Sequence, residues 1–513
     1  MSNVDTLTKV KLTVRALEPL DDKIWYKTTQ CIARGLMSVR KINISYRNQY
    51  SMSIPGFMPN IGNAFGQRGG DILSPGLDFA FGMIGDSYLN KAMENNWLLM
   101  NDSVATPATT NGMENTQIRV TLEPVRDFKI DLTASHSRNK ARNIQYMYEG
   151  CPTTESGSLN MTTISLKTAF EGMGNANNGF KSSAFEKFCN SLDGFRQKVE
   201  NTYKGTKYPE GTTHAGETFN PENGAVNKYS ADVMIPAFLN AYTNMGSGGL
   251  KLFPTLAKVL PNWTVRYSGL SKLPWIRDHF KSVNINHGYK SIYAIGSYST
   301  FNTYHEYMDG RGFINDAATG NPIPSSRYNI SMVSINEAFS PLLGVDVTLH
   351  NELTCKVEYR KTRVLNLSMT SVQINETMSN DWVVGLGYRI NNFNPFGPKK
   401  KHIKKKPSET QGKNSSSNKK NNRSSFNSAL NLRLDFSYRK QAAISRDISS
   451  MMSSASSGNT AMKLSFMADY SLSKVLTMSF YYDRQTNTPL LSSNSYPTTT
   501  SDFGLSVKFS LNK

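Results

Sequence analysis

Apolar and polar residues alternate along much of this chain, position by position. In residues 428–440, Leu, Phe and Tyr occupy every second position, and Asn, Arg, Asp and Ser lie between them. A period of two predicts a β-strand with one apolar face and one polar face. The same alternation recurs at residues 42–46, 118–122, 128–132, 382–390, 462–472, 476–482 and 503–511. We therefore predict an all-β fold of antiparallel strands.

Two architectures produce this alternation, a soluble β-sandwich and a transmembrane β-barrel. Several runs last about ten residues, longer than most strands of globular proteins and suited to a tilted membrane crossing. Tight connections, at 123–124 and 473–474, alternate with long polar ones, at 441–459 and 483–500. Bacterial barrels have this asymmetry. The predicted fold class is part of a large antiparallel transmembrane β-barrel, and an adhesin-like binding sandwich is the alternative.

Three segments have helical periodicity instead. In residues 182–205, apolar residues recur at spacings of three and four, which predicts an amphipathic helix. Residues 231–245 predict a second helix, which Pro236 would kink or start. Residues 86–98 predict a third, with Asp86 as its N-cap. Because these segments lie between strand runs, we expect loops or caps that fold over a barrel mouth. An independent soluble domain is the alternative.

These patterns divide the chain into alternating regions. Barrel strands are predicted at 1–53, 116–171, 263–390 and 426–513. Between them we predict a cap insertion with a short helix at 54–115, a helical insertion at 172–262 and a Lys-rich loop at 391–425.

Positive charge is concentrated in the Lys-rich loop. The chain has 58 Lys and Arg against 39 Asp and Glu, a net charge of +19. Residues 398–423 hold ten basic residues and one acidic residue, Glu409. Such a run can bind nucleic acid or anionic lipid. Since it has no aromatic residues and is rich in Ser and Asn, we predict a solvated, disordered loop and no nucleic-acid partner.

No catalytic centre can be recognised in the sequence. The 7 His residues lack the spacings that place two imidazoles on one metal, and His305-Glu306 with Asp309 is interpreted as a polar loop. The Gly-rich stretches at 172–179 and 246–249 lack the Gly-Lys-Ser/Thr sequence of phosphate-binding loops. Four Cys without a C-x-x-C pair argue against a disulfide scaffold and a zinc module. We predict no enzymatic activity, no metal and no cofactor.

Hydropathy argues against membrane-spanning helices. The longest apolar stretches fall short of the roughly 18 residues that such a helix needs, and the mean hydropathy is −0.44. A barrel remains compatible with these values, because only every second residue faces lipid. The first ten residues do not resemble a secretory signal. We therefore expect either that the protein stays inside the cell or that the chain is a piece of a longer one.

The alternation assigns side chains to the two faces of the predicted barrel wall. Seven apolar residues are predicted to face lipid: Leu432, Leu434, Phe436, Leu464, Phe466, Leu505 and Val507. Five charged residues are predicted to face the lumen: Arg433, Asp435, Arg439, Lys463 and Asp469. Charged side chains belong to the wet side because an outward-facing Arg costs about 2–4 kcal/mol near the bilayer midplane.

Counting strands back from the C-terminus predicts a topology. If the last strand descends into the periplasm, the strands at 476–482, 460–472 and 428–440 alternate in direction. Residues 391–427 then form an unusually long periplasmic turn, and the polar residues 374–381 lie outside the cell. The Lys-rich loop has little apolar surface to bury, so we expect it to be mobile.

The last strand also resembles the C-terminal signal by which insertion machinery recognises outer-membrane barrels. The matching residues are Asp502, Gly504, Val507 and Phe509. An extended terminal strand offers unpaired backbone groups, and Gly504 would allow close approach of a partner strand.

Several longer motifs follow one another along the chain. They are IPGFMP at 54–59, SPGLDFAFG at 74–82, Asn96-Trp97-Leu98, TLEPVRDFKIDL at 121–132, KVEYRKTRVLNLSMTS at 356–371, GLGYRI at 385–390 and NLRLDFSYRKQ at 431–441. This series resembles the SprA/Sov family, the outer-membrane translocons of the type 9 secretion system in Bacteroidetes. The resemblance covers most of residues 35–513.

The resemblance implies a very large single-chain barrel whose pore passes folded cargo with a C-terminal sorting domain, and which supports gliding motility in some members. It also implies three protein or lipid contacts: a PorV-type outer-membrane protein at a lateral opening, a plug protein on the other side, and outer-membrane lipid. Family members are several times longer, so the resemblance implies that this chain corresponds to their C-terminal portion. That would explain the absence of a signal peptide.

Overall fold

The structure is a computed structural model. It describes residues 28–30, 35, 37–59, 74–82, 84, 87–99, 106–147, 153–245, 252–308, 311–316, 319–391, 393, 428–473, 475–491 and 496–510. Several predicted features lie outside these residues: the Lys-rich loop over 394–427, Asp86, Asp309, Lys474, Leu511 and the Gly-rich stretch at 246–249.

One large antiparallel sheet dominates the fold. It has thirteen strands, twelve of which pair in the order β1-β2-β3-β4-β6-β10-β11-β12-β13-β14-β15-β16, while β5 pairs with β3 and β6. The strands of this sheet are β1 (Val39–Ser53), β2 (Ala108–Val125), β3 (Phe128–Ile144), β4 (Thr154–Thr162), β5 (Asn262–Tyr267), β6 (Phe280–Thr300), β10 (Tyr328–Leu349), β11 (Leu353–Ser368), β12 (Gln373–Asn391), β13 (Ala429–Asp447), β14 (Ser453–Ser471), β15 (Leu476–Pro489) and β16 (Thr498–Phe509).

The predicted fold class is confirmed: the chain is all-β in its main architecture, with a large antiparallel barrel sheet and helical insertions. Every alternating segment of the sequence falls in a strand of this sheet, although Ser428 and Leu472 lie one residue beyond the ends of β13 and β14. The strands reach 22 residues in β10, far longer than the five or six that are usual in globular proteins. Antiparallel pairing between neighbours satisfies the backbone groups along these lengths.

Two predicted long connections are wrong, because the strands extend beyond their strictly alternating parts. β13 and β14 take up all of residues 441–459 except a turn at 448–452. β15 and β16 leave only 490–497 of the predicted connection at 483–500. Residues 374–381, predicted to lie outside the cell, form part of β12. Polar residues occur on both faces near these strand ends, which hides them from a search for alternation.

The hairpin between β2 and β3 also differs slightly from the prediction. Its turn is at residues 126–127 rather than 123–124, since Val125 still pairs with Phe128. The pairing is interrupted between Leu122 and Val125, at Pro124. A proline has no N–H to donate to a neighbouring strand, so it fits an irregularity of this kind.

The predicted helices are present. From residue 74 onward, the α-helices of the described residues are α1 (Leu77–Ala80), α2 (Ser87–Glu94), α3 (Leu166–Ala169), α4 (Ser183–Tyr203), α5 (Ala231–Tyr242) and α6 (Pro274–Arg277). In α4, Ser182 caps the first turn by accepting a hydrogen bond from the N–H of Phe185. α5 begins before Pro236, which lies inside the helix.

The predicted region boundaries shift accordingly. β2 begins at Ala108, inside the segment interpreted as a cap insertion up to residue 115. β4 ends at Thr162, so the helical insertion comprises residues 163–261 rather than 172–262. We use the name helical insertion for residues 163–261.

The helical insertion shares one hydrophobic core with the sheet. Apolar residues of α4 and α5, including Phe188 and Phe238, are buried together with Leu365 of β11 and Ile374 of β12. An independent soluble domain would have a core of its own. The helices pack against a face of the sheet, so the expectation that they fold over the barrel mouth is wrong. The broad face of the sheet offers the apolar side of each helix a large surface against which to be buried.

A small second sheet lies between β6 and β10. It consists of β7 (Tyr304–Met308), β8 (Arg311–Asn315) and β9 (Pro322–Ser326). His305 and Glu306, interpreted as part of a polar loop, are in β7. Phe313 of β8 packs against Tyr203 at the end of α4, with ring centroids 5.4 Å apart. The small sheet therefore extends the core of the helical insertion.

Within the described residues, none of the helices has the length and apolar character needed to cross a membrane. The same residues contain no group of three or more His, Cys, Asp or Glu that could hold a metal ion.

Candidate functional site

The register of the sheet aligns the apolar sides of neighbouring strands into one surface. Directly paired residues of antiparallel strands project to the same face. One row of such pairs crosses five strands: Leu386, Leu434, Phe466, Tyr482 and Phe503. We call the face that carries this row the apolar face and the opposite one the polar face.

Both sets of predicted wall residues fall on the two faces as the alternation requires. The apolar face carries all seven residues predicted to contact lipid: Leu432, Leu434, Phe436, Leu464, Phe466, Leu505 and Val507. The polar face carries all five residues predicted to face a lumen: Arg433, Asp435, Arg439, Lys463 and Asp469. The pairing thus brings each set together on one surface, across three strands for the first set and two for the second.

Apolar residues form a continuous belt at one end of the apolar face. We call this the lower end of the sheet, where β2 turns into β3, and the opposite end the upper end. On β12 the belt extends from Trp382 to Ile390. At about 3.4 Å per residue, and with the strands tilted by roughly 30–35° from the membrane normal, this corresponds to a height of roughly 23 Å. The apolar band of outer-membrane barrels is about 25 Å tall.

The belt is inclined relative to the strands. Its upper limit, taken as the first polar residue on the apolar face, is Asn48 on β1 and Ser501 on β16. When the directly paired residues are followed from strand to strand, Asn48 corresponds to Leu367 of β11. Followed in the same way, Ser501 corresponds to Val357, also on β11.

This inclination gives the tilt of the strands. Measured along β11, the upper limit of the belt shifts by 10 residues, from position 367 to position 357, between β1 and β16. These two strands are eleven strand-to-strand steps apart. At about 3.3 Å per residue and about 4.8 Å between strands, the belt makes an angle of roughly 30–35° with the hydrogen-bonding direction. A belt that is level in a membrane therefore requires strands tilted by that angle, close to the roughly 35–45° of transmembrane barrels. This is the pattern of a transmembrane barrel wall.

Aromatic residues mark the upper edge of the belt on β11, β12 and β13. Tyr359 and Trp382 lie with ring centroids 4.6 Å apart, and Trp382 is paired with Tyr438. Two positions above them on the apolar face are Lys361 and Lys440. Aromatic rings followed by basic side chains are typical of a membrane–water interface.

The polar face carries exposed ion pairs of both signs. Arg439 donates two hydrogen bonds to Asp381, each 3.0 Å long. Arg433 contacts Asp435 at 2.6 Å, and Lys463 lies 4.0 Å from a carboxylate oxygen of β15. Exposed pairs of this kind contribute only about 0–1 kcal/mol each. Their arrangement indicates a hydrated surface with mixed charge.

Two buried ion pairs fasten the helical insertion to the upper half of the apolar face. Arg363 of β11 lies 3.1 Å from Glu337 of β10, and each side chain is 2% exposed. Arg363 also donates to the carbonyl oxygen of Thr168 at 2.7 Å and to its Oγ1 at 2.6 Å. Glu337 accepts hydrogen bonds from Ser165 and Tyr289. The guanidinium group of Arg363, a residue of the sheet, thus binds the end of α3.

The second pair lies on the next two strands of the sheet, β12 and β13. Arg446 of β13 contacts Glu376 of β12 at 2.7 Å, and both are buried. Its other terminal nitrogen donates to the carbonyl oxygen of Phe180, just before α4, at 2.6 Å. Sequence reasoning did not identify these four charged residues. The sequence does contain a sign of them: each is a charged residue at a position where the alternation of its strand would otherwise place an apolar side chain.

A third buried carboxylate lies on β4. Glu155 is 4% exposed, and Lys140 and Arg142 of β3 lie 3.1 and 3.2 Å away. Tyr328 donates a hydrogen bond to it at 2.8 Å. Burial by itself raises the pKa of Glu155, but the hydrogen bond from Tyr328 and the charge of Lys140 outweigh it, so the pKa lies below its ordinary value.

This depressed pKa predicts a pH dependence. Because the folded-state pKa lies below the unfolded value of about 4.3, Glu155 contributes stability above that pH. The contribution is lost as the pH falls through the folded-state pKa. We expect the protection factors of the β4 amides against hydrogen exchange to fall below about pH 4, and Glu155→Gln to abolish this additional acid sensitivity. A variant that retained the full acid response would show that other carboxylates cause it.

The segments that carry the IPGFMP motif and the Asn96-Trp97-Leu98 motif fold against each other. The N–H of Met58 donates to the carbonyl oxygen of Trp97 at 2.8 Å, and the N–H of Leu99 to that of Gly56 at 2.7 Å. Gly56 has φ 73°, a conformation that favours glycine. Tyr146 at the end of the β3 segment donates to the carbonyl oxygen of Pro55 at 2.6 Å. We call residues 54–59, 74–82, 84 and 87–99 the motif unit.

The motif unit also packs on the apolar face, above the belt on β1, β2 and β3. Tyr88, Leu89 and Trp97 form a core with Ala108 of β2. Tyr88 donates a hydrogen bond to the carbonyl oxygen of Pro75. The SPGLDFAFG segment therefore contacts α2, and α2 itself packs on the sheet.

The four residues of the C-terminal signal lie on β16. Asp502 and Gly504 are on the polar face, and Val507 and Phe509 on the apolar face. A Cβ at Gly504 would lie 2.5 Å from ring atoms of Tyr481 on β15. The glycine therefore makes room for this ring, rather than for the backbone of a partner strand as the sequence suggested.

No family model matches the chain, and no curated protein matches it. Among solved structures, the chain is similar to the beta domain of the Bordetella autotransporter Brka, with a TM-score of 0.21, 6% identity, and coverage of 79% of this chain and 92% of that one. It is also similar to an anion-selective porin from Comamonas acidovorans, with a TM-score of 0.10, 8% identity, and coverage of 74% and 82%. At these TM-scores the similarity supports no conclusion, and the fold class rests on the strand pairing.

Proposed function

We propose that this chain forms part of the wall of an outer-membrane, protein-conducting β-barrel. The observation that carries the proposal is the inclined apolar belt, which lies opposite a polar face across twelve paired strands. A belt of this height suits the hydrocarbon layer, and the opposite face suits water. The outer membrane is the bacterial membrane in which barrels of this kind occur.

The polar face supports a conducting role. Its charges are of both signs and are largely paired with each other, so the surface has no strong preference for one sign of cargo. An open groove of about 480 Å³ crosses it where Gly385 and Gly387 lack side chains. A hydrated wall with open grooves offers folded proteins little to bind, which is what passage through a channel requires.

We further propose that the channel is the SprA/Sov-type translocon of the type 9 secretion system. The support is the ordered series of motifs, together with the motif unit that contains the first three of them. Under this proposal the cargo carries a C-terminal sorting domain, and a PorV-type protein and a plug protein are partners. The four-residue signal of β16 would serve recognition by the barrel-insertion machinery. The proposal includes no catalytic step and no cofactor.

The adhesin-like sandwich is the competing function. A sandwich needs a second sheet over the apolar face. Within the described residues, no second sheet covers the belt on β16, where Leu505 is 64% exposed. Detergent phase separation distinguishes the two: a sandwich would stay in the aqueous phase, and a barrel wall would enter the detergent phase.

A matched pair of substitutions tests the facing of β13. Leu434→Arg should impair assembly, because a lipid-facing Arg costs about 2–4 kcal/mol near the midplane. Arg433→Leu, the adjacent residue on the polar face, should have a milder effect. The measurement is the amount of assembled, heat-modifiable protein in the outer membrane. Equal effects of the two substitutions would contradict the proposed facing.

Photo-crosslinking tests the transported cargo. Benzoylphenylalanine replaces Arg433 on the polar face or Leu434 on the apolar face of the full-length protein in secreting cells. We expect adducts with secreted proteins only at residue 433. Lipid adducts at residue 434 without any cargo adduct at residue 433 would support a membrane barrel but contradict protein export through this wall.

A further inference from the structure

The lower edge of the helical insertion meets the upper edge of the belt. α3 lies over β6 and β10, where Ala169 is buried against Tyr289 and Phe339. Ile164 and Leu166 pack around this cluster and are only partly buried. The apolar surface of the belt therefore continues onto the insertion without a polar gap at this point.

Phe170 follows α3 and is 62% exposed. Its ring centroid lies 5.3 Å from that of Phe339. The Nζ of Lys361 is 5.3 Å from the Phe170 ring centroid, in a cation–π contact. An aromatic ring that is mostly exposed at the rim of an apolar belt is placed as interfacial aromatic residues are in membrane proteins.

The charges at this level are basic. Lys361 of β11 is paired with Asn380, which is paired with Lys440 of β13, so the two lysines lie on one row of the apolar face. Among the described residues, neither lysine forms an ion pair within 4.0 Å. The nearby carboxylate of Glu337 is buried and bound by Arg363. We use the name foot for residues 164–170 together with Lys361 and Lys440.

We propose that the foot is a membrane-contact site that holds the helical insertion on the headgroup layer of the outer leaflet. Phe170 enters the boundary between headgroups and acyl chains, and the two lysines bind phosphate groups of anionic lipid. This inference rests on the proposed function, since it requires the belt to face lipid. It follows from continuity with the belt and from charge complementarity, because interfacial aromatic residues and lysines favour this zone.

Crosslinking to lipid tests the position of the foot. Benzoylphenylalanine replaces Phe170, Lys187 or Leu434 in the full-length protein in its native membrane, and peptide masses report lipid adducts after irradiation. Lys187 is exposed on α4 and serves as the matched control within the insertion. We expect lipid adducts at residues 170 and 434 and none at 187.

The possible outcomes separate this inference from the proposed function. Lipid adducts at 434 without lipid adducts at 170 would overturn the foot and leave the barrel wall intact. Protein adducts in place of lipid adducts at 170 would also overturn it and would identify a partner surface. An absence of lipid adducts at 434 would refute the proposed barrel itself.

A second measurement tests the lysines. The full-length protein is reconstituted in phosphatidylcholine vesicles with or without phosphatidylglycerol, and phosphatidylglycerol adducts at residue 170 are quantified. Lys361→Gln and Lys440→Gln should each lower the yield by about fivefold, the effect of one basic side chain near an anionic surface. Lys463→Gln on the polar face should change nothing. Equal yields in all variants would overturn the phosphate contact.

Discussion

Replacing Arg363 by methionine should loosen the helical insertion from the sheet at a cost of about 3–5 kcal/mol, the usual penalty when one partner of a buried ion pair is removed. The substitution leaves Glu337 charged inside the protein and deprives the end of α3 of two hydrogen bonds from Arg363. Hydrogen–deuterium exchange should therefore increase in α3 and α4 under native conditions. Exchange in the belt strands β14 and β15 should remain slow.

Two controls establish the cause. Arg433→Met breaks an ion pair on the polar face in which the arginine is 70% exposed, so the expected cost is only about 0–1 kcal/mol. Adding Glu337→Gln to Arg363→Met removes the unpaired charge and should restore part of the loss. If the double variant were no more stable than Arg363→Met, the penalty would come from lost packing rather than from the buried carboxylate.

The belt was predictable from the sequence, because the face to which a residue points depends only on its place in the alternation along its own strand. On β13 and β14, lipid-facing and lumen-facing candidates such as Leu434 and Arg433 alternate without a break, and the observed register keeps each set on its own face. No knowledge of pairing partners is needed for such a prediction. The connections from β13 to β14 and from β14 to β15 are short, so these strands fold back on each other.

The upper halves of the strands could not be predicted in the same way. There the apolar face is covered by the helical insertion, which accepts small and charged residues such as Ala442 and Arg446 in place of large apolar ones. Arg446 fits because its partners come from distant segments, Glu376 and the carbonyl oxygen of Phe180. Such partnerships depend on tertiary packing, which alternation does not report.

The location of the helical insertion was missed for a related reason. The spacing of Phe185, Phe188 and Leu192 correctly predicted an amphipathic helix. An amphipathic pattern shows that one side of a helix is buried but not against which surface. The sheet supplies that surface through Leu365 and Ile374, which belong to strands far away in the sequence. Only the three-dimensional arrangement places the helices above the belt.

Truncating Phe238 to alanine should destabilise the helical insertion strongly. This residue of α5 is 0% exposed, and its ring lies 6.3 Å from that of Phe188 and 5.0 Å from that of Tyr242. Phe→Ala substitutions in a core cost about 3–5 kcal/mol, because they combine lost burial with a cavity. Faster hydrogen exchange and earlier proteolytic cleavage in α4 and α5 are the expected results.

Phe170→Ala is the matched control, because this phenylalanine belongs to the same insertion but is 62% exposed. Its removal should cost less than about 1 kcal/mol in detergent, since little apolar surface leaves a packed environment. In both variants the heat-modifiable barrel should form in normal amounts, because β14, β15 and β16 lie outside the core shared with the insertion. If Phe238→Ala prevented barrel assembly while leaving the protein abundant, docking of the insertion would have to precede closure of this part of the sheet, and the helices would be required for folding of the wall.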